Sequence, residues 1–402
     1  MGTRSGDTRV RALATACAAV LALTLAGCEG GSGDTDGSAD ADGGPAARPV
    51  PPEVTITPVT GTSGVRPDEP VHVEVRGGRL TEVSVTGPRG RTVPGALGGQ
   101  DTSWTSTGPL RFDAAYTVHA RASTPEGGGR PVDRTVRFTT LDPRKVVDVS
   151  VAPIEGETVG VGMPIVVYFD EPVEEKAAVE RRLDVQASTP VDGAWHWFSD
   201  TEVHFRPRQF WAAGTRVTLD VSLAGTRIAP GIWSDEDREV SFDVGASMVS
   251  VVDVDRHRMV VRRNGEVARR IPVSTGKAAF LTRGGTKVVL EKHRVKVMDA
   301  STIGIEQGSS EYYRLRVEYA LRVTWSGEFV HSAPWSVGSQ GSANVSHGCV
   351  GMSPAHAIWL FERSQRGDVV KVVGSPRRLE EGNGFTDWNL SWPEWVSGSA
   401  LS

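Results

Sequence analysis

The amino-acid sequence predicts a mainly β protein, with two tandem β-sandwich modules followed by a third β-rich domain that carries one short helix. Three observations lead there. Short alternating runs separated by turn signals recur between residues 53 and 246, and helical periodicity is almost absent from that stretch. Near residue 247 the pattern changes to paired strands followed by a single well-punctuated helix. At 402 residues the chain exceeds one ordinary domain, and a length of about 100 to 200 residues per domain allows roughly two to four.

The N-terminus carries Arg4, Arg9 and Arg11, an apolar run from Ala12 to Ala26, and the small-residue site Leu25-Ala26-Gly27-Cys28. This order of charge, apolar run and small residues reads as an export signal over residues 1–27. The run is too short for a comfortable membrane span. Leu-Ala-Gly-Cys resembles the lipobox of bacterial lipoproteins, which implies cleavage before Cys28 and acylation of its sulfur; the alternative is a plain secretory signal that happens to contain a cysteine. Residues 28–52 follow as a Gly, Ser, Asp, Ala and Pro tether with hardly a large apolar side chain. A flexible coil of about 22 residues has a typical reach on the order of 25 Å.

Residues 53–143 contain Val71-His72-Val73-Glu74-Val75, Thr81-Glu82-Val83-Ser84-Val85 and Tyr116-Thr117-Val118-His119-Ala120, broken at Gly77-Gly78, Pro88-Arg89-Gly90 and Gly127-Gly128-Gly129. Residues 144–246 repeat the plan with Ile165 to Phe169, Glu202 to Phe205 and Arg216 to Val221, and include one short amphipathic helical stretch between Val173 and Leu183. Both modules look immunoglobulin-like. Neither shows an aromatic platform in sequence, so a stalk is preferred to a carbohydrate-binding device. Gly160-Val161-Gly162 lies inside a β-rich module and reads as a turn, not a phosphate loop.

The third domain, residues 247–374, has strands at Val249–Val254, Met259–Arg262, Val267–Val273 and Val288–Leu290, with an Asn264-Gly265 hairpin signal. Tyr319, Leu321, Val323 and Trp325 alternate along a strand leading to Phe329-Val330-His331. A helix follows, with Ser353 placed to cap it, Pro354 at its first position, Ile358 and Phe361 on one face and Gly367 after its end. After the strand Val369–Val373, residues 375–402 form a tail with Trp388, Trp392 and Trp395, expected to pack on the preceding domain.

Composition narrows the function. The chain has 44 basic and 49 acidic residues, a formal charge of −5, and no stretch that concentrates Lys and Arg with aromatics. Nucleic acid is therefore not an expected partner. Of the three cysteines, Cys17 leaves with the signal and Cys28 carries lipid, so Cys349 is the single free thiol of the exported protein. A lone thiol in an oxidising compartment calls for a reason, either chemistry or inert burial.

The chemistry-bearing string is Phe329-Val-His331-Ser332-Ala-Pro-Trp335-Ser, a Gly and Ser-rich stretch, then Asn344-Val-Ser346-His347-Gly348-Cys349-Val-Gly351-Met. A thiol becomes a good nucleophile when an imidazole takes its proton. His331, at a strand end, can be folded against the sulfur, whereas His347 is placed to shape the turn. Gly348 allows a tight turn in which the N–H groups of 347, 348 and 349 converge on an oxyanion. His293 and His356 read as solvated, Asn344-Val-Ser346 is a glycosylation sequon only formally, and the histidines and cysteine form no close ligand cluster, so neither metal nor cofactor is implied.

His331-Ser-Ala-Pro-Trp335 with Ser346-His-Gly-Cys349 resembles the active-site signature of the L,D-transpeptidases, which have a YkuD-type catalytic domain, and is close to the lipid-anchored actinobacterial type with immunoglobulin-like domains. Pro272-Val-Ser-Thr-Gly276, Met298-Asp-Ala-Ser-Thr302 and Asp387-Trp-Asn-Leu-Ser-Trp-Pro-Glu-Trp395 extend the likeness. The resemblance implies a mainly β catalytic domain around a curved mixed sheet and a ping-pong acyl transfer between peptidoglycan stem peptides that gives 3-3 cross-links. In it Cys349 is the nucleophile, His331 the base, and the Ser332 carbonyl the group that holds the imidazole; Tyr313 belongs to a lid, and Met298 and Trp335 to pocket walls, with Ser346 beside the substrate. It further implies covalent inhibition by carbapenems and an extracytoplasmic, membrane-anchored monomer. Hydrolysis by an L,D-carboxypeptidase or endopeptidase with the same machinery, or a non-catalytic wall-binding lipoprotein, are the competing functions. Gly351 departs from the family pattern, which has a polar residue two positions after the cysteine.

Overall fold

The computed structural model describes residues 50–124 and 130–402. The expected signal peptide, the lipidation site Cys28, most of the tether and the Gly127-Gly128-Gly129 turn lie outside the described residues. Residues 49–402 form one compact unit, and the expectation of a mainly β chain holds throughout it. Alternation sets each strand: in Val71-His72-Val73-Glu74-Val75 the valines are buried and the polar residues exposed.

Two sheets face each other in the first part. One has the order Glu53–Thr57, His72–Arg76, Ser103–Ser106, Gly95–Gly98, and the other Arg79–Thr86, Ala115–Ser123, Val132–Thr139. Their inner faces meet in a core around Val73, Val118, Trp104 and Phe138. The second part has a sheet ordered Thr158–Val159, Asp237–Val244, Arg216–Ser222, Leu183–Ala187 and another ordered Gly193–Trp197, Glu202–Pro207, Ile165–Phe169, Val149–Ala152. The helical stretch expected between 173 and 183 is the single turn Lys176–Glu180.

The third part is built on two sheets. A five-stranded sheet runs Glu266–Pro272, Arg258–Arg263, Met248–Asp253, Val369–Val373, Gly285–Val288. A four-stranded sheet runs Glu291–Asp299, Arg314–Arg322, Phe329–Ser332, Val350–Met352, and its last two strands are parallel. Met259, Ile271, Leu321, Val330 and Met352 fill the space between them. The helix Pro354–Arg363 closes this core with Ala357 and Leu360 as its buried residues, while Ile358 and Phe361 are only half-buried. Ser353 has the extended conformation of a cap, but its side chain makes no cap bond.

The Gly160–Gly162 turn is a seam between the second and third parts. Gly160 N–H donates to the Arg366 carbonyl at 2.7 Å and Gly162 N–H to the Gly367 carbonyl at 2.9 Å. A Cβ at Gly160 would lie 2.2 Å from the Asp368 nitrogen, so only glycine permits this approach. Val288, Leu290, Val369 and Phe385 accordingly belong to the same hydrophobic cluster as the second sandwich.

The tail touches both neighbouring parts: Leu379 N–H donates to the Gly284 carbonyl at 2.9 Å and Asn383 Nδ2 to Ser326 Oγ at 2.9 Å on the third part, whereas its tryptophans turn to the second sandwich. Trp388 Nε1 donates to the Gly162 carbonyl at 2.7 Å, and Trp395 Nε1 to the Ala194 carbonyl at 2.9 Å. Arg206 lies over the rings of Trp388, Trp392 and Trp395 at 4.9, 5.4 and 4.6 Å. The reason is a waiting cation and aromatic surface, which offers tryptophan more than an aliphatic sheet does. Asn389 also ties the tail to the third part by accepting from Thr286 N–H at 2.8 Å and donating to its carbonyl at 2.7 Å. Between these contacts Asp387 accepts from His204 Nδ1 at 2.8 Å; burial opposes charge on that ring, but Asp387 and Glu202 outweigh it and push it up to about 9.

Trp395 is 0% exposed, so Trp395→Ala is expected to destabilise the chain by about 3–5 kcal/mol. Urea unfolding followed by fluorescence measures this, and a loss below about 1 kcal/mol would contradict the clamp.

Candidate active site

Two short parallel strands bring the functional string together. Val330 pairs with Val350, His331 with Gly351 and Ser332 with Met352, so residues 331 and 349 come to the same region although a loop of Gly and Ser residues separates them in sequence. All four residues of Phe329–Ser332 are buried. Cys349 and His331 line one cavity of about 180 Å³.

The loop carrying Cys349 is sewn to the segment Pro272–Gly276. Ser346 N–H donates to the Thr275 carbonyl at 3.0 Å, and Ser274 and Gly351 exchange backbone bonds at 2.8 and 3.0 Å. Asn344 Oδ1 accepts from Thr275 N–H at 3.0 Å, and its amide donates to the Val254 carbonyl at 3.1 Å. The sequon asparagine is thus a structural tie. Thr282 Oγ1 donates to the Gly348 carbonyl at 2.8 Å, which holds the turn from the other side.

Within the turn, Ser346 Oγ donates to the Cys349 carbonyl at 2.6 Å and accepts from Gly348 N–H at 3.1 Å. That occupies one of the three N–H groups expected to converge on an oxyanion. Gly348 has φ +121°, a conformation open to glycine alone. Gly351 is packed tightly: a Cβ there would meet Ala333 Cβ at 3.0 Å, so a larger residue would need Ala333 to move by a few tenths of an ångström.

The tautomer of the candidate base is fixed. His331 Nδ1 lies 2.7 Å from the Ser332 carbonyl. A carbonyl only accepts, so Nδ1 carries the hydrogen and Nε2 keeps its lone pair. Burial holds the imidazole below its usual pKa, with the Ser332 contact partly offsetting it. The thiol is 8% exposed, and burial pushes it up to about 12. The resting pair is therefore neutral thiol beside neutral imidazole, and charge appears only when the proton moves.

His347 has a different task. Its Nε2 bonds Glu311 Oε2 at 2.6 Å, and Lys277 Nζ reaches the same oxygen at 2.5 Å. These two contacts, Lys277 first, hold Glu311 below the usual carboxylate range. The His347 ring lies 4.9 Å from Tyr313 and 4.6 Å from Phe280. It joins the loop to the segment before Arg314–Arg322, where Tyr313 lines the cavity. Burial pushes the Tyr313 phenol up to about 12, with the Cys349 charge second.

Met298 and Trp335 both line the cavity. Met298 packs against the cluster that contains Cys349, Val317 and Phe329, whereas Trp335 is 56% exposed with its ring 5.9 Å from His331. Asp299, next to Met298, caps the following turn by accepting from Ser301 N–H at 3.0 Å. His293 bonds Glu291 at 2.7 Å and, like His356, does not line the cavity.

Sequence reasoning missed Glu311, the partner of His347, and the buried pair Lys287 and Glu328 with the half-buried Arg283. Glu328 Oε1 accepts from Arg283 N–H and Nη1, both at 3.0 Å, and Glu328 Oε2 accepts from Lys287. The only available signal was a glutamate placed directly before the string at 329.

Comparison with known proteins agrees with this architecture. Residues 62–227 match a bacterial Ig domain family and residues 247–372 match the L,D-transpeptidase catalytic domain family. L,D-transpeptidase 2 of Mycobacterium tuberculosis (strain CDC 1551 / Oshkosh) is 34% identical over 404 residues, covering 100% of this chain and 98% of that protein. L,D-transpeptidase 1 of Mycobacterium tuberculosis (strain ATCC 25618 / H37Rv) is 41% identical over 225 residues, covering 56% of this chain and 84% of that protein. A solved structure of an L,D-transpeptidase in complex with imipenem is similar with a TM-score of 0.50 and 40% identity, over 57% of this chain and 99% of that one.

A side chain at φ +121° costs on the order of 1–3 kcal/mol. Gly348→Ala is therefore expected to slow covalent labelling of Cys349 by about tenfold or more, read by intact-mass spectrometry on folded protein; an unchanged rate would show that the turn tolerates distortion.

Proposed function

This chain belongs to the L,D-transpeptidase family, and we propose that it joins peptidoglycan stem peptides into 3-3 cross-links by ping-pong acyl transfer on Cys349. The observation that carries the reading is the fixed His331 tautomer. With Nδ1–H held by the Ser332 carbonyl, Nε2 takes the thiol proton as Sγ attacks the carbonyl at the L-centre of the diamino acid in a donor tetrapeptide. The bond to the terminal D-Ala breaks, and the proton passes to the leaving amine. The side-chain amine of an acceptor stem then attacks the thioester, His331 takes its proton, and the thiol is restored.

The cavity walls favour an amine over water as acceptor. Met298, Leu315, Val317, Ala333, Trp335 and Val345 make most of the lining apolar, and such walls shield the thioester from water while an acceptor stem docks. Ser346 and Gly348 hold the carbonyl end of the nucleophile in place. Carbapenems acylate Cys349 by the same attack, since they present a strained carbonyl to the thiol.

Placement in the cell follows from the N-terminal residues. Cys28 carries lipid after cleavage of the signal, residues 29–52 form a tether on the extracytoplasmic face of the membrane, and the sandwiches lift the catalytic part toward the wall. Among the described residues no helix is long and apolar enough to cross a membrane.

Incubation of the protein with tetrapeptide-stem muropeptides should yield 3-3 dimers by mass spectrometry, and Cys349→Ala should abolish both dimers and the carbapenem adduct. Trimmed monomers without any dimer would turn the reading toward hydrolysis. Cys28→Ala should release the chain from the membrane fraction; retention of the variant there would refute the lipid anchor.

A further inference from the structure

Acyl transfer as described makes no use of the buried charges behind Cys349. Lys287, on the strand Gly285–Val288, is 1% exposed, and Glu328 is almost as deeply buried. Arg283 completes the group through two contacts to Glu328 Oε1 at 3.0 Å. None of the three lines the substrate cavity.

Their position is close to the reacting atom. Glu328 lies between Gly327, whose carbonyl faces Cys349 Sγ at 3.8 Å, and Phe329, where the strand to His331 begins. A Cβ on Gly348 would stand 3.6 Å from Glu328 Oε1. Burying an ammonium and a carboxylate carries a heavy desolvation penalty, and apolar side chains of similar volume would hold the fold as well or better. Charge at this place calls for an electrical role.

We propose that the Arg283–Lys287–Glu328 cluster sets the proton affinity of Cys349, with the Lys287 ammonium favouring the thiolate and the Glu328 carboxylate opposing it. The inference rests on Cys349 as nucleophile, but not on whether an amine or water accepts the acyl group. These residues act through the sulfur and touch no substrate, so they are positioning residues. When the thiol proton passes to His331 Nε2, negative charge develops on Sγ, and the nearby ammonium stabilises it without further proton movement.

The local balance agrees. Burial raises the thiol first; a backbone contact from Phe329 and the charge of Lys287 pull it back, and Glu328 pushes it up. Lys287 is lowered by burial and held up by Glu328, with the Cys349 charge a smaller support. The other groups around the thiol come from separate elements. His331 lies on the adjacent strand, Tyr313 in the covering segment, and His347 in the same loop with Glu311 and Lys277. Glu380, half-exposed in the tail, meets Arg283 Nε at 2.5 Å. None of these changes in the variants below.

The test measures the rate of alkylation of Cys349 by iodoacetamide in the full chain at neutral pH. Sγ displaces iodide and its proton goes to solvent, and the Cys349 peptide is quantified by mass spectrometry so that Cys17 and Cys28 do not contribute. K287M is expected to slow alkylation about tenfold. E328Q, nearly isosteric, is expected to speed it by a similar factor. K287M/E328Q should fall between the two, since one charge of each sign is gone. A purely structural role would leave the rates in place or move all variants the same way with the double furthest out, and either result overturns the proposal. Thermal melting accompanies each variant; should K287M unfold, the direction of the E328Q change decides alone. Alkylation needs no stem peptide, so changed rates without 3-3 dimers would refute transpeptidation alone, whereas dimers with unmoved rates would refute the cluster alone.

Discussion

The parallel pairing of Phe329–Ser332 with Val350–Met352 is the constraint on which the site depends. Both strands are fully buried and very short, so their register is held less by their own ladder than by the core on one side and the loop ties on the other. A slip of one residue would turn His331 to the opposite face, away from the cavity it shares with Cys349. The contacts of Ser274, Thr275 and Thr282 to the 346–351 segment prevent that slip. They also explain why the segment Pro272–Gly276 belongs with the catalytic string despite its distance in sequence.

Burial then decides the chemistry. An exposed thiol and imidazole would titrate near their ordinary values, whereas here burial pushes the thiol up and the imidazole down, so both rest neutral. A neutral thiol is protected from stray oxidation, and the thiolate forms when the proton has a fixed lone pair to go to. The Ser332 carbonyl supplies that direction by fixing the tautomer. Charged residues close by have correspondingly large effects, because little water screens them.

The same close approach ties the catalytic part to the second sandwich. Gly160 and Gly162 allow backbone contact where a methyl group would collide, and the tail returns across the seam to stack tryptophans around Arg206. The strand Val369–Val373 belongs to the catalytic sheet while Val369 also belongs to the hydrophobic cluster of the sandwich. One continuous apolar layer therefore runs through both parts, which pack as one compact unit.

Local pattern determined much of this protein. Alternation such as Val71-His72-Val73 marks strands because side chains in extended backbone face opposite sides by geometry alone. His331 and Cys349 were legible because their chemistry needs few partners and their string is short. Tertiary structure decided the rest. Lys287 and Glu328 are separated by 41 residues, and in sequence each reads as an ordinary solvated charge; only folding removes the water that makes them ordinary. Glu311 became the partner of His347, and Trp395 a clamp on the sandwich, for the same reason. A residue's type states what it can do, but its charge, tautomer and partners depend on which distant segments exclude solvent around it.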